Sequence, residues 1–382
     1  IVAGPFGSNL KVSDYTTEEV PIVRLQNIER NLFINKEIKY VSKEKANELK
    51  YHSFRNGDII MTKLGIPVGK ACIVPEYFKE GIVVADVVRI RVSPKKAVKK
   101  FISYVLNSRL VSVQLQKETI GSTRPRVNLS EIRNLKITLP KNLDEQQAIS
   151  KILSEVDLKL DNVERERQAT ERLKRGIMVK LLENKDWKFE SLSNKEYFEL
   201  IMGQSPPSSS YNDKQEGMPF LQGNADFGVM HPSYSKYTKT PLKIAEPKDI
   251  LISVRAPVGE INLSKDRICM GRGLGAIRIL KGNYLFYYYY LNHIKKEIEN
   301  MGQGSTFKAI TLNELKKISL PIPSLKEQEK IVSVLSTIDK KLELEQKSKD
   351  KLERFKKGLI NDLLTGNKRV NVENVLKIGD GR

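Results

Sequence analysis

The sequence predicts an α+β protein: two similar mixed α/β domains, each followed by a long helix, the two helices pairing as an antiparallel coiled coil about a pseudo-twofold axis. Three observations carry this expectation. The first is an internal repeat shifted by 182 residues, from Glu145 to Glu327. Glu145-Gln146 recurs as Glu327-Gln328. Register then holds without a gap through Ile149/Ile331, Leu153-Ser154/Leu335-Ser336, Asp157/Asp339, Leu160/Leu342, Glu171-Arg172/Glu353-Arg354, Lys174/Lys356, Gly176/Gly358 and Leu181-Leu182/Leu363-Leu364. A repeat this long marks two copies of one structural unit. The second is an apolar spacing in alternating steps of four and three, at Ile149, Leu153, Val156, Leu160, Val163 and at Ile331, Leu335, Ile338, Leu342, which is the signature of a coiled-coil seam. The third is that the segments before each helix read as short strand-like runs broken by Gly and Pro.

The first domain spans residues 1–143. Its strand-like runs are Asp58-Ile59-Ile60-Met61, Ile82-Val83-Val84 and Val87-Val88-Arg89-Ile90-Arg91-Val92, punctuated by Gly57, Gly65, Pro67 and Gly69. A helix from Phe101 to Glu118 is expected next, then a Gly121-Ser122-Thr123 loop, then a last strand, Leu135 to Pro140, stopped by its proline. The sequence opens at Ile1, inside an expected strand, so the first domain is expected to be incomplete at that edge.

The second domain, residues 186–325, repeats this order. Lys248-Asp249-Ile250-Leu251-Ile252 echoes Gly57-Asp58-Ile59-Ile60-Met61, and Pro257-Val258-Gly259 echoes Pro67-Val68-Gly69. Tyr284 to Asn300 is the matching helix, Gly304-Ser305-Thr306 the matching loop and Ile318 to Pro323 the matching strand. Leu129-x-Glu131 and Leu312-x-Glu314 follow the two loops.

The long helices are expected at residues 144–185 and 326–369, with a short tail at 370–382. Asp144 and Glu145 suit a first helical turn, where the exposed amide groups favour negative charge. The middle of each seam is polar: Arg167 and Thr170 in one copy, Glu345 and Lys349 in the other. The apolar stripe is expected to resume at Leu173, Ile177, Leu181 and at Leu352, Phe355, Leu359, Leu363. A helix of about 40 residues is about 60 Å long. Because each domain precedes its helix, antiparallel pairing would place the domains at opposite ends.

Charge adds a functional constraint. The chain of 382 residues carries 66 Lys and Arg against 46 Asp and Glu, a formal net charge of +20. The first long helix is neutral and the second only slightly basic, so nearly all the excess lies in the two domains. This suggests two anion-binding modules on a nearly neutral frame. Cys72 and Cys269 occupy non-equivalent places and read as small buried hydrophobes in a reducing compartment. No apolar stretch is long enough to span a membrane.

Catalytic motifs are missing from the pattern. There is no phosphate-binding Gly-x-x-x-x-Gly-Lys-Ser/Thr loop. Gly271-Arg272-Gly273-Leu274-Gly275-Ala276 lies between strand-like runs and opens no helix, so it lacks the amide cradle of a dinucleotide loop. Pro206-Pro207 lacks the neighbours an amino-methyltransferase needs. His52, His231 and His293 are isolated, and Glu37-Ile38-Lys39 has no counterpart in the other half. The chain reads as non-catalytic, with no cofactor and no metal.

What remains are polar and basic loops in duplicate. Gly121-Ser122-Thr123-Arg124-Pro125-Arg126 and Gly304-Ser305-Thr306-Phe307-Lys308 combine backbone amides, hydroxyls and cations that suit phosphate or base edges. The opening loops offer Gly7, Ser8 and Lys11 in one domain and Gln204, Ser205 and Ser208 in the other. Arg24, Gln26 and Asn27 after Pro21 match Gln222 and Asn224 after Pro219, and Lys63 and Arg255 sit just before the Pro-Val-Gly turns. Arg, Gln and Asn are the side chains that pair bidentately with guanine or adenine in the major groove. The turns share one grammar while the side chains differ, which suits two modules reading two sequences of double-stranded DNA.

On these motifs the chain resembles the specificity subunits of type I restriction-modification enzymes. The resemblance rests on the two Gly-Ser-Thr loops, the Leu-Pro-x-x-x-x-Glu-Gln and Ile-Pro-x-x-x-Glu-Gln helix starts, the ending Leu363-Leu364-Thr365-Gly366, and their duplicated order along the whole chain. It implies a cytoplasmic, non-catalytic subunit whose two target-recognition domains each read half of a split DNA site. It further implies that the paired helices set the gap and dock two methyltransferase subunits, with restriction-translocase subunits joining for cleavage. Two other readings stay open: a stand-alone regulatory DNA-binding protein, and the recognition module of another methyltransferase-nuclease type.

Overall fold

A computed structural model of the chain describes residues 1–119, 124–301 and 309–377. The chain divides into two compact units, residues 1–163 with 348–382, and residues 164–347. Each unit therefore contains one domain, half of its own long helix and half of the other.

In the first unit a four-stranded antiparallel sheet has the order Val2–Ala3, Val87–Ile90, Ile59–Thr62, Ala71–Ile73. A five-stranded sheet has the order Tyr15–Thr16, Lys39–Val41, Val20–Val23, Glu80–Val83, Ser53–Arg55, with only the third and fourth strands parallel. The strand residues 59–62 are buried throughout and Val87, Val88 and Ile90 nearly so, which accounts for their near-continuous apolar sequence. Helices Lys99–Leu106 and Arg109–Lys117 cover the first sheet. One helix was expected here; the chain instead turns at Asn107, whose side chain donates to the Ala71 and Ser103 carbonyls and accepts from the Ala71 amide.

The second unit repeats both sheets in the same strand order. Its four-stranded sheet runs Phe198–Met202, Leu274–Ile279, Ile250–Ser253, Ile261–Leu263. Its five-stranded sheet runs Tyr211–Asn212, Tyr237–Thr238, Met218–Leu221, Ile268–Met270, Ile244–Ala245, again with one parallel pair. Helices Tyr284–His293 and Lys295–Met301 replace the single expected helix. Ser319–Pro321 pairs with Phe189–Ser191. Its counterpart in the first unit, residues 135–140, is not a strand.

The long helices span Leu143–Leu182 and Leu325–Leu364. Asn142 and Ser324 cap them, the side-chain oxygen of each accepting from an amide in the first turn. The Glu-Gln pair has a physical role in both copies. Gln146 accepts from the Val98 amide and donates to the Pro140 carbonyl; Gln328 accepts from Asn283 and donates to Pro323. Each glutamine thus locks the start of a domain helix to the proline that precedes a long helix.

Within each unit the N-terminal half of one long helix packs antiparallel on the C-terminal half of the other. Ile149 and Leu153 share a core with Leu363, Leu364, Phe101 and Val105; Ile331 and Leu335 share one with Leu182, Phe286 and Tyr287. One expectation fails here. Leu173 is 56% and Phe355 57% exposed, and the seam positions beside them are Lys174 and Lys356. Those lysines form ion pairs with Asp339 and Asp157 of the facing helix, so the four-three spacing continues through charge.

Candidate nucleic-acid interface

In each domain five segments meet where the chain passes from one sheet to the other. In the first domain the Val84 amide donates to Val23, Gly4 to Val87, Lys63 to Asp86 and Val127 to Lys63. In the second, Gly271 donates to Leu221, Gly203 to Leu274, Val254 to Gly273 and Ile310 to Val254. The four bonds correspond one to one. The opening segments must pass close: a Cβ on Gly4 would lie 2.0 Å from the Val84 carbonyl oxygen, and on Gly203 2.2 Å from that of Gly271.

One pair of side chains beneath the loops is the same in both domains. Arg91 forks onto Asp58 at 2.9 and 2.7 Å, and Arg278 onto Asp249 at 2.9 and 2.8 Å. The carboxylates are buried, and the same fork holds both guanidinium groups above the usual arginine range, hydrogen bonding to the aspartate being the leading cause. Asn128 and Thr311 begin short helices closed by Glu131 and Glu314, which accept from their backbone amides.

Five matched loop positions carry different side chains in the two domains. The bonds above equate Arg24 with Gln222, Lys63 with Val254, Ala85 with Arg272 and, one residue along from these bonds, Leu64 with Arg255 and Arg126 with Ala309. Lys63 and Arg255 therefore lie one position apart in the two turns rather than at the same place.

The expected site residues distribute as follows. Gly7, Ser8, Lys11, Gln26, Arg124 and Arg126 are exposed in the first domain, as are Gln204, Ser208, Gln222 and Arg255 in the second. Arg126 pairs with Asp86 at 2.7 Å. Arg24 is half-buried, with Nη2 donating to the Glu37 carbonyl at 2.7 Å, and Gln26 donates to the Glu37 carboxylate at 3.2 Å. Lys63 is half-buried; burial lowers its ammonium from the ordinary lysine value, against the pull of Asp86. Ser205 accepts from the Arg272 amide, and Asn224 is half-buried at the start of a short turn.

Asn27 is placed elsewhere. It is fully buried, its amide donating to Ile34 and Lys36 and its oxygen accepting from Arg24, so it has nothing left for a base edge and instead shapes the turn. Gly121, Ser122, Thr123, Gly304, Ser305, Thr306 and Lys308 lie outside the described residues. Sequence reasoning missed Arg272. It is exposed in the second loop cluster, beside Ser205 and between glycines that pack on the Gln222 backbone. The signal is the Gly271-Arg272-Gly273 run, whose glycines also suit a cofactor loop. Among the described residues no group of three His, Cys, Asp or Glu is placed to hold a metal, and no helix is long and apolar enough to cross a membrane.

Residues 9–172 and 184–354 each match the family model described as the type I restriction modification DNA specificity domain. The chain belongs to that family. It is the DNA specificity subunit, the non-catalytic part of a type I restriction-modification complex, with two target-recognition domains. Among its relatives is a putative type I restriction enzyme specificity subunit (MjaX) of Methanocaldococcus jannaschii, 36% identical, matching 92% of this chain and 87% of the relative. A second M. jannaschii specificity subunit (MjaVIII) is 27% identical over 76% of this chain and 75% of its own. A chain from a solved structure described as the basis of complex assembly and conformational transition of the type I system is 26% identical, with TM-score 0.58 over 90% of this chain and 91% of that one. The fold is shared with the specificity subunit from M. genitalium at TM-score 0.61, 17% identity and 95% and 92% coverage.

Proposed function

We propose that each target-recognition domain reads one half of a bipartite, asymmetric double-stranded DNA site through its loop cluster. The paired long helices set the gap between the halves and dock two methyltransferase subunits, and restriction-translocase subunits join them for cleavage. The complex works in the cytoplasm. One observation carries this reading: two domains keep the same framework, Asp58/Asp249, Arg91/Arg278 and Gln146/Gln328, while the loop pairs Arg24/Gln222, Lys63/Val254, Leu64/Arg255, Ala85/Arg272 and Arg126/Ala309 all differ. Selection for one shared target would keep the loops alike; two unlike targets need unlike donors on one scaffold.

The outer faces of the long helices support the docking role. Leu173 and Phe355, equivalent by the repeat, are large apolar side chains left exposed. Co-expression with the cognate methyltransferase subunit, followed by single-molecule sequencing of methylated adenines, tests the proposal. The expected result is a split motif with two unlike halves and a fixed gap. A continuous or palindromic motif would overturn it.

A further inference from the structure

We propose that the two half-sites are read by different chemistry: the first domain recognises thymine by its methyl group, through Phe6 and Ile66, whereas the second reads polar base edges. This rests on the reading above. Phe6 is 85% exposed and Ile66 79%, and both lie on segments of the first loop cluster. Val12, at the end of the same opening loop, is 82% exposed. These side chains are presented by ordered turns. The Phe6 carbonyl accepts from Asn9, Gly65 donates to Pro125, and Thr62 Oγ1 accepts from Gly69 and Lys70 on the far side of the Ile66 turn.

The second domain is built otherwise at the same places. Among the described residues, segments 203–211 and 254–258 expose no large apolar side chain. They and their neighbours present Gln204, Ser208, Gln222, Arg255 and Arg272 to solvent instead.

A base pair offers donors and acceptors along its major-groove edge and one apolar group, the C5-methyl of thymine. Exposed Phe and Ile flanked by Lys11, Lys63 and Arg124 therefore fit a duplex whose phosphates meet the cations and whose thymine methyls meet the apolar tips. A wedge between base steps is the other use of such side chains in DNA binding. It unstacks a step while carrying little base identity, and a recognition domain must discriminate bases.

The test uses the full chain assembled with its methyltransferase subunits and duplexes carrying the mapped site. Thymine is replaced by uracil, which removes only the methyl group, in one half-site at a time. Uracil in one half is expected to weaken binding about fourfold per contacted thymine, the affinity equivalent of one apolar methyl group, with no effect in the other half. The Phe6→Ala/Ile66→Ala double variant should bind the thymine and uracil duplexes alike. A sequence preference that persists with no response to uracil in either half would overturn this inference and leave the proposed function standing. So would a uracil response unchanged in the double variant, or unstacking of a base step reported by 2-aminopurine without a methyl response. Loss of all sequence preference in the wild-type complex would instead overturn the proposed function.

Discussion

The Tyr104 hydroxyl donates to Oδ2 of Asp157 at 2.6 Å, joining a domain helix to a long helix. The other carboxylate oxygen of Asp157 receives Lys356 from the facing long helix. The second unit repeats the arrangement, with Tyr289 on Oδ2 of Asp339 at 2.7 Å and Lys174 on Oδ1. One carboxylate in each unit thus ties three helices together. Lysine can occupy an apolar seam position in both copies because its ammonium meets that carboxylate while its stem packs along the seam.

Removing the carboxylate should cost more than its exposure suggests. Asp157→Ala leaves the buried Tyr104 hydroxyl with only a long 3.4 Å contact to Ser154 and strands the Lys356 ammonium, at about 1–3 kcal/mol. For a unit of this size that is a fall in Tm of several degrees. Tyr104→Phe removes one donor and leaves Lys356 paired, so about 1 kcal/mol is expected. Leu158→Ala, next in sequence but 62% exposed, should be nearly neutral. Thermal unfolding of the three variants checks the order, and equal losses in all three would contradict the three-helix role of Asp157.

Buried tyrosines set an alkaline limit. Burial is the leading cause that pushes Tyr287 and Tyr288 up to about 12, and Tyr289 is raised further by burial and its bond to Asp339. Between the ordinary tyrosine value near 10 and these raised values the folded state holds protons that the unfolded chain releases. Their contribution to stability is therefore complete below about pH 10 and lost as pH rises through about 12. Burial also pushes the Cys72 thiol up to about 12. Urea unfolding of the full chain at steps from neutral to strongly alkaline pH should therefore show a stability that starts to fall at about pH 9 and falls more steeply above about pH 10 as the tyrosines join. Stability unchanged to pH 12 would contradict it.

Much of the frame was legible because a repeat and a seam are periodic signals. The seam was misread where polarity and period compete: counting apolar residues favours Leu173 and Phe355, whereas counting steps of four and three arrives at Lys174 and Lys356. The period wins because Asp339 and Asp157 neutralise those lysines. At the loops, duplication located the cluster but not the direction of each side chain. Asn27 and Gln26 are adjacent and chemically alike, yet one is buried and the other exposed; only the turn decides. Arg272 was hidden because its neighbours are the glycines that a cofactor loop also uses.

Arg272 provides a direct test of which loop cluster serves which half-site. It is exposed, its side chain is not the group that holds the loop, and its backbone amide bonds Ser205 whatever the side chain. Arg272→Ala should therefore fold normally. If the side chain reaches a guanine, methylation of one half-site position should relax, with a loss of about 1–3 kcal/mol against the preferred base, while the other half keeps its preference. If it meets a phosphate instead, binding should weaken uniformly and the salt slope should fall by about 1. Methylome mapping and salt-dependent binding separate these results, and an unchanged motif with unchanged affinity would remove Arg272 from the interface.

The gap between half-sites should follow helix length and nothing in the loops. Inserting one heptad at matching levels of both long helices preserves the alternation of four and three that runs from Ile149 to Leu181 and from Ile331 to Leu363. Seven residues add about 10 Å of helix. Base pairs stack at about 3.4 Å, so the gap should grow by about one to three base pairs. Both half-sites should stay unchanged, because no loop residue is altered. Inserting four residues in one helix alone would move Lys174 or Lys356 off its aspartate and should lower stability rather than yield a new gap. A methylome in which the heptad insertion alters a half-site while the gap stays constant would sink the assignment of these helices as the spacer.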